Sequence, residues 1–286
     1  MSRASVAPAL MLLALAQAHA EVGTVDAVPA ATLLVPYFEV DLDHDEGVTT
    51  LFSVNNAFAG PAIVHVTFWT DLSVPTLDFN LYLTGYEDPT INLRNIFRSG
   101  TPGIVQPASG EGASKDGGGV FPEPVGPFSL PTNPITGVGP GSSSCADQLP
   151  LPPLPAVLLA HLRAAHTGKP SVIFGGRCSG IDHGDNIARG YITLDNVNVC
   201  SLDFPGDAGY FIAGGQGTAN NENQLWGDVF YVDSVNNFAT GSPLIHLEAS
   251  DALGADNYTF YRRYSGGADQ REGLGTSFAL CSTMGS

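Results

Sequence analysis

Positive charge is scarce in this chain. Its 286 residues hold 28 Asp and Glu but only 11 Lys and Arg, for a formal net charge of −17, and just two of the cations are lysines, Lys115 and Lys169. This argues against nucleic acid as a partner, because binding it requires clustered cations that displace counterions. Anionic membrane surfaces are disfavoured on the same ground. An acidic surface suits solubility, cation binding and cationic partners. Long apolar runs are missing beyond the N-terminus, so no transmembrane segment is expected in the mature chain. No fixed-period repeat connects its two halves.

The one apolar run, Val6 to Ala16, follows Arg3 and precedes Ala18-His19-Ala20, a small-x-small site just before Glu21. This is the pattern of a secretory signal peptide, residues 1–20, cut after Ala20. The expected localisation is secreted, periplasmic or cell surface. Removing the peptide takes away Arg3 and no acidic residue, so the mature chain is more acidic still. All four cysteines, Cys145, Cys178, Cys200 and Cys281, lie beyond it. In an oxidising compartment they allow up to two disulfides in three connectivities. Cys178 is expected to pair with Cys200, or alternatively with Cys145; the first choice closes a loop of about 22 residues, contributing roughly 3 kcal/mol in the chain-entropy model. Cys281, close to the chain end, is the expected odd cysteine.

What is abundant is turn chemistry, with 34 Gly and 21 Pro, and β signal. Residues 21–98 read as a β-sandwich part. Thr32–Val35 leads through Pro36 into Tyr37–Val40, and Thr49–Val54, Ile63–Trp69, Asp78–Leu83 and Thr90–Leu93 follow. Period-two alternation means one buried and one wet face. On Ile63–Trp69 the core face is assigned to Val64, Val66 and Phe68, which leaves His65 as a solvent-side strand residue rather than a ligand. Residues 99–150 lose all periodicity and become a Gly/Pro/Ser-rich loop or linker, expected to be protease-sensitive. Residues 151–286 form a second β-rich part packed on the first. It carries one helix over 155–167, with Pro155 at its start and Gly168 at its end and Leu158, Leu162 and Ala165 on one face. His161 and His166 stand about 140° apart around it, which argues against a metal pair. Strands are expected at Ser171–Phe174, Gly190–Val199, Asp228–Val232, Leu244–Glu248, Tyr258–Tyr264 and Ser277–Leu280.

Chemistry-bearing motifs are few. Gly176-Arg-Cys178-Ser-Gly180 matches a Gly-x-nucleophile-x-Gly elbow with His183 nearby, but no helix follows it, and a secreted cysteine belongs more naturally in a disulfide. Asp41, Asp43 and Asp45 space carboxylates as a calcium loop does. Glu46 and Phe52 then break the EF-hand pattern, and the competing reading is an acidic turn. Calcium at this turn is the one cofactor considered. Asp182, Asp185 and Asn186 are a weaker set of the same kind. Gly214-Gly-Gln-Gly217 lacks the third glycine and the helix of a phosphate loop. Trp69, Trp226, Tyr210 and Tyr231 suit either a sugar-stacking platform or, more simply, a core.

Several segments together resemble an uncharacterised group of bacterial secreted β-rich proteins with no established activity: Leu34–Val40, Ala62–Asp71, Leu81–Tyr86, Ile91–Arg94, Ala188–Thr193, Leu225–Asp228 and Tyr258–Tyr261. The resemblance implies a shared secreted β-rich fold and nothing about catalysis. The expected fold is mainly β: an antiparallel β-sandwich, immunoglobulin-like in its first half, with one short helix and a long Gly/Pro-rich loop. The expected role is structural, adhesive or binding, without catalysis, toward an extracellular protein or glycan. Two alternatives stand beside it: a secreted hydrolase using Cys178 or a carboxylate pair, and a carbohydrate-binding module.

Overall fold

The computed structural model describes residues 28–83, 85–100, 104–105, 154–199, 203–205 and 207–249. The signal peptide, most of the 99–150 stretch, Cys145, Cys200, Cys281 and the expected strands Tyr258–Tyr264 and Ser277–Leu280 lie outside the described residues.

The protein is mainly β with antiparallel sheets. One sheet joins β1 (Thr32–Asp41), β4 (Ala62–Trp69), β5 (Pro75–Leu83), β8 (Ile187–Val197) and β12 (Ile245–Leu247) in the order β12-β1-β8-β4-β5. A second joins β2 (Thr49–Ser53), β6 (Thr90–Asn92), β7 (Ile104–Val105), β10 (Asp228–Asp233) and β11 (Phe238–Pro243) in the order β11-β10-β2-β6-β7. A short ladder pairs β3 (Asn55–Asn56) with β9 (Leu225–Trp226). Both five-stranded sheets mix strands from before and after residues 99–150, because β8 and β12 pair with β1 while β10 pairs with β2.

Alternation builds the core. Leu33, Val35, Val64, Val66, Phe68, Phe79, Leu81, Ile192 and Leu194 of the first sheet share one apolar cluster with Phe52, Ile91 and Val229 of the second. Full burial of each large side chain contributes roughly 1.5–3 kcal/mol. Pro36 is accommodated inside β1 by a bulge between Val35 and Phe38, where the ladder to β8 is interrupted and Pro36 and Tyr37 turn outward. Proline cannot donate to a ladder, so a bulge is where it fits.

Two helices close the cluster where one was expected. α1 (Leu93–Ser99) follows β6 directly. Asn92 caps it by accepting from the Arg94 N–H, Gly100 ends it in the left-handed conformation (φ 68°), and Leu93, Ile96 and Phe97 are buried. The strand-like Thr90–Leu93 run hides this helix, and the Asn92…Gly100 pair is the capping signal that reveals it. α2 (Ala156–His166) is the expected helix, and it packs Leu162 into the core with Leu158 against it. Ser171–Phe174 is a correction: it is no strand but part of a tight turn closed by pairing of Ser171 with Arg177. The Gly175-Gly176 pair reverses the chain before a ladder can form.

Candidate functional site

Paired residues of antiparallel strands project to the same face. On the face of the first sheet opposite the core, this register places Thr32, Asp195, His65 and Asn80 in one row across β1, β8, β4 and β5. The next row is Leu34, Thr193, Thr67 and Asp78, and beyond it Tyr191 pairs with Trp69. Polar residues here meet the wet-face pattern, yet His65, Thr67 and Asp195 are fully buried and Trp69 is 7% exposed. The assignment of His65 to the solvent side is therefore corrected. A covering segment, residues 203–205 and 207–219, crosses this face. Tyr210, itself fully buried, donates its hydroxyl to Asp195 (2.8 Å) and stacks edge-on against the His65 ring at 5.8 Å. The segment is closed on itself by Thr218 N–H to Gly209 C=O and Ala219 N–H to Tyr210 C=O, and tied to β8 by the Val197–Ala219 bridge.

Burial dictates the electrostatics. The Asp195 carboxyl is pushed up to about 6 by burial, offset by hydrogen bonds from Thr32 and Tyr210. Burial pushes His65 down to about 4. Asp78 is pushed up to about 8, first by burial and then by the neighbouring Asp203 and Asp207 carboxylates of the covering segment. His65 Nδ1 lies 2.9 Å from the Asn80 amide oxygen, and the Asp203 backbone is a second hydrogen-bonding group at this ring. Nε2 faces Asp78 Oδ2 at 3.9 Å. That approach is an ion pair only if Asp78 loses its proton and His65 gains one, and both shifts run the other way. At neutral pH it is a carboxylic acid opposite a neutral imidazole, just beyond hydrogen-bond reach. His65 Nε2, Asp78 Oδ2 and Thr67 Oγ1 all lack a hydrogen-bond partner. The group can hold and exchange a proton, and its His65 and Asp195 members are fully buried.

The residues singled out by sequence lie elsewhere and are not gathered. The Asp41 carboxylate accepts from Asp43 N–H, His44 N–H and His44 Nδ1; Asp43 accepts from Asn186; Asp45, 83% exposed, pairs with Arg98 at 2.7 Å. Hydrogen bonds from Asp43 and His44 outweigh desolvation and hold Asp41 below the usual carboxylate range. Asp182 caps Gly184 while Asp185 takes both Arg189 amino groups, so that set does not converge either. Among the described residues no three His, Cys, Asp or Glu side chains gather where a metal ion could be held. Cys178 is 3% exposed and disulfide-bonded; its pairing with Cys200 or Cys145 falls outside the described residues. His183 Nε2 sits 3.2 Å from Asp71 Oδ2. His161 and His166 are both buried on separate partners, Ser171 for the first and Thr76 with the Arg189 carbonyl for the second. Of the four aromatics, Trp69 stacks on Tyr191 at 5.9 Å and Tyr210 is buried, while Trp226 is 38% exposed and Tyr231 donates to the Tyr37 carbonyl. They form no common platform.

Sequence reasoning missed Asp78, Asp195 and Tyr210 as members of one site. The alternation Asp78-Phe-Asn80 and Thr193-Leu-Asp195 does mark them as one-sided; what covers that side is a loop without periodicity. Among the described residues no helix is long and apolar enough to cross a membrane. No family model, no curated protein and no solved structure matches this chain.

Proposed function

We propose that this is a secreted or cell-envelope β-sandwich protein, immunoglobulin-like in its first half, with a structural, adhesive or binding role and no catalysis. The sandwich reading draws support from two antiparallel sheets that feed one apolar cluster. Export draws support from the residue 1–20 pattern and the bridged Cys178. The observation that supports a non-catalytic role is the burial of His65, Asp78 and Asp195. These strongly shifted groups are where catalytic chemistry is first sought, and they are buried, His65 and Asp195 directly against Tyr210. The bridged Cys178 sulfur is unsuited to act as a resting nucleophile. An acidic surface favours a partner protein or glycan presenting cations.

Fractionation of the producing cell, followed by cross-linking of the mature protein in the envelope and identification of what it holds, tests this reading. Recovery in the envelope with a saturable partner supports it. Turnover of an ester, peptide or glycoside substrate that is lost in Cys178→Ala or Asp78→Asn overturns it.

A further inference from the structure

The polar face and the segment on it carry opposing demands. Asp78 Oδ2 and His65 Nε2 are buried 3.9 Å apart on the sheet with no partner in good hydrogen-bond geometry; the segment above sets the Asp203 backbone and carboxylate against His65 and the charges of Asp203 and Asp207 against Asp78. Both are fixed in place: Asp207 Oδ2 accepts from Phe204 N–H at 2.8 Å and Asp203 Oδ2 from the Thr218 hydroxyl at 3.3 Å. With Asp78 protonated, the space holds a neutral acid and a neutral imidazole. Once Asp78 is ionised, its buried carboxylate joins the half-buried Asp203 and Asp207 as a third negative charge acting on this site, and among the described residues its sole counter-group within ion-pair reach is the neutral His65. An unpaired buried charge is relieved most cheaply by the weakest neighbouring element. That element is the segment. Its ties to the sheet include the Tyr210–Asp195 bond, the Val197–Ala219 bridge, Asn198 N–H to Thr218 C=O and the Asn198 side-chain amide to the Gly215 and Gly217 carbonyls, contacts from one edge of a loop, whereas β4 is laddered to both β5 and β8.

We propose that residues 203–205 and 207–219 form a pH-responsive cover over this face, held down by protonated Asp78 and released as Asp78 ionises opposite Asp203 and Asp207. The groups facing one another are His65 on β4, Asp78 on β5, Asp195 on β8, and Asp203, Asp207 and Tyr210 on the cover. Their signs separate by pH. Asp78 and Asp195 are raised, so each favours the closed state below its ordinary value of 3.8 and loses that preference as pH rises to about 8 and about 6 respectively. His65 is lowered, so it favours the closed state above 6.5 and loses that preference as pH falls toward about 4. Between pH 6.5 and 8, Asp78 alone changes. The inference stands whether or not the binding role proposed above is correct, because it concerns opening and not what binds.

Amide hydrogen exchange of the mature protein from pH 6 to 9, read by mass spectrometry and corrected for the intrinsic rate at each pH, tests it. Opening of the cover should rise by up to about tenfold per pH unit between pH 6.5 and 8 and level off above, while β4 and β8 amides keep their protection. Asp78→Asn should flatten that rise. The double variant Asp203→Asn, Asp207→Asn gives a reading even if Asp78→Asn does not fold, since removing both charges should move the levelling-off to lower pH. A rise shared equally by β4 and β8, a rise that persists in Asp78→Asn, or a levelling point unmoved in the double variant overturns the proposal.

Discussion

The two faces of the first sheet are both buried, and by different means. On the core face Phe68 touches Phe38, Phe79 and Phe97 with ring centroids 6.0–6.2 Å apart, and polar groups sit only at its margins, Asn196 opposite Val64 and His166 beside Phe38 and Phe97. On the other face, the same strands present Thr32, His65, Thr67, Asp78 and Asp195 to a loop. There each buried group must find a partner or change its protonation state. Apolar burial tolerates imprecise neighbours, but polar burial does not. The unpartnered His65 Nε2, Asp78 Oδ2 and Thr67 Oγ1 mark where the second face falls short. The core face should therefore hold most of the stability and the polar face most of its dependence on conditions.

The sharpest way to break this contrast is to truncate a core ring. Phe68→Ala should lose about 3–5 kcal/mol, seen as a large fall in the denaturation midpoint at every pH. A loss below about 1 kcal/mol would mean that the core face is not what holds the sheet. Gly190→Ala probes the join between the faces. A Cβ there would collide with the Trp69 carbonyl and press on His166 Nδ1, 3.0 Å away. Backbone does not yield as a side chain does, so we expect a loss of about 1–3 kcal/mol, read by thermal melting.

The contrast between the faces also explains what was legible in the sequence. β1, β2, β4, β5, β8 and β10 announce themselves by alternation and by their Gly, Pro and Asn flanks, and α2 by its Pro155 start and apolar stripe. β11 does not. Its six residues are all exposed and form a strand because the turn before them is fixed by Asn236 bonded twice to Asp233. The Val172-Ile-Phe174 run has strand composition but only Gly-Gly after it. The site itself was half legible. Period two separates Val64, Val66 and Phe68 from His65 and Thr67, yet it reports only that the faces differ. Whether the polar one meets water depends on a segment distant in sequence and held by the Tyr210–Asp195 hydrogen bond, a contact no local pattern encodes.

On the polar face, Tyr210→Phe should cost about 1–3 kcal/mol, because it leaves the buried Asp195 oxygen without its donor. Asp78→Asn should act in the other direction and depend on pH. The raised Asp78 disfavours the folded state increasingly as pH climbs from 3.8 to about 8. The variant should thus gain about 1–3 kcal/mol over wild type at pH 8 and almost nothing at pH 4. Equal melting temperatures at pH 8 would remove the electrostatic account of this face.

The smallest effect belongs to the acidic turn, which lies outside both faces and sharpens the contrast by exposure alone. Asp41, Asp43 and Asp45 are close in sequence, but their surroundings differ. Asp41 holds the backbone N–H groups of Asp43 and His44, so its carboxylate organises the turn whether or not an ion is present. Asp45 reaches Arg98 from a position 83% exposed to water. Exposed ion pairs contribute little, because solvent screens the attraction and two side chains must be immobilised. We therefore expect Asp45→Asn to change stability by less than about 0.5 kcal/mol, and Asp41→Ala to cost about 1 kcal/mol through its lost backbone bonds. Repeating both melts with millimolar calcium distinguishes a turn from an ion site. If the turn is what organises these carboxylates, calcium leaves the ranking unchanged. A calcium-dependent rise in the wild-type melting temperature that both variants abolish would instead make Asp41, Asp43 and Asp45 ligands of one ion, brought together by binding it.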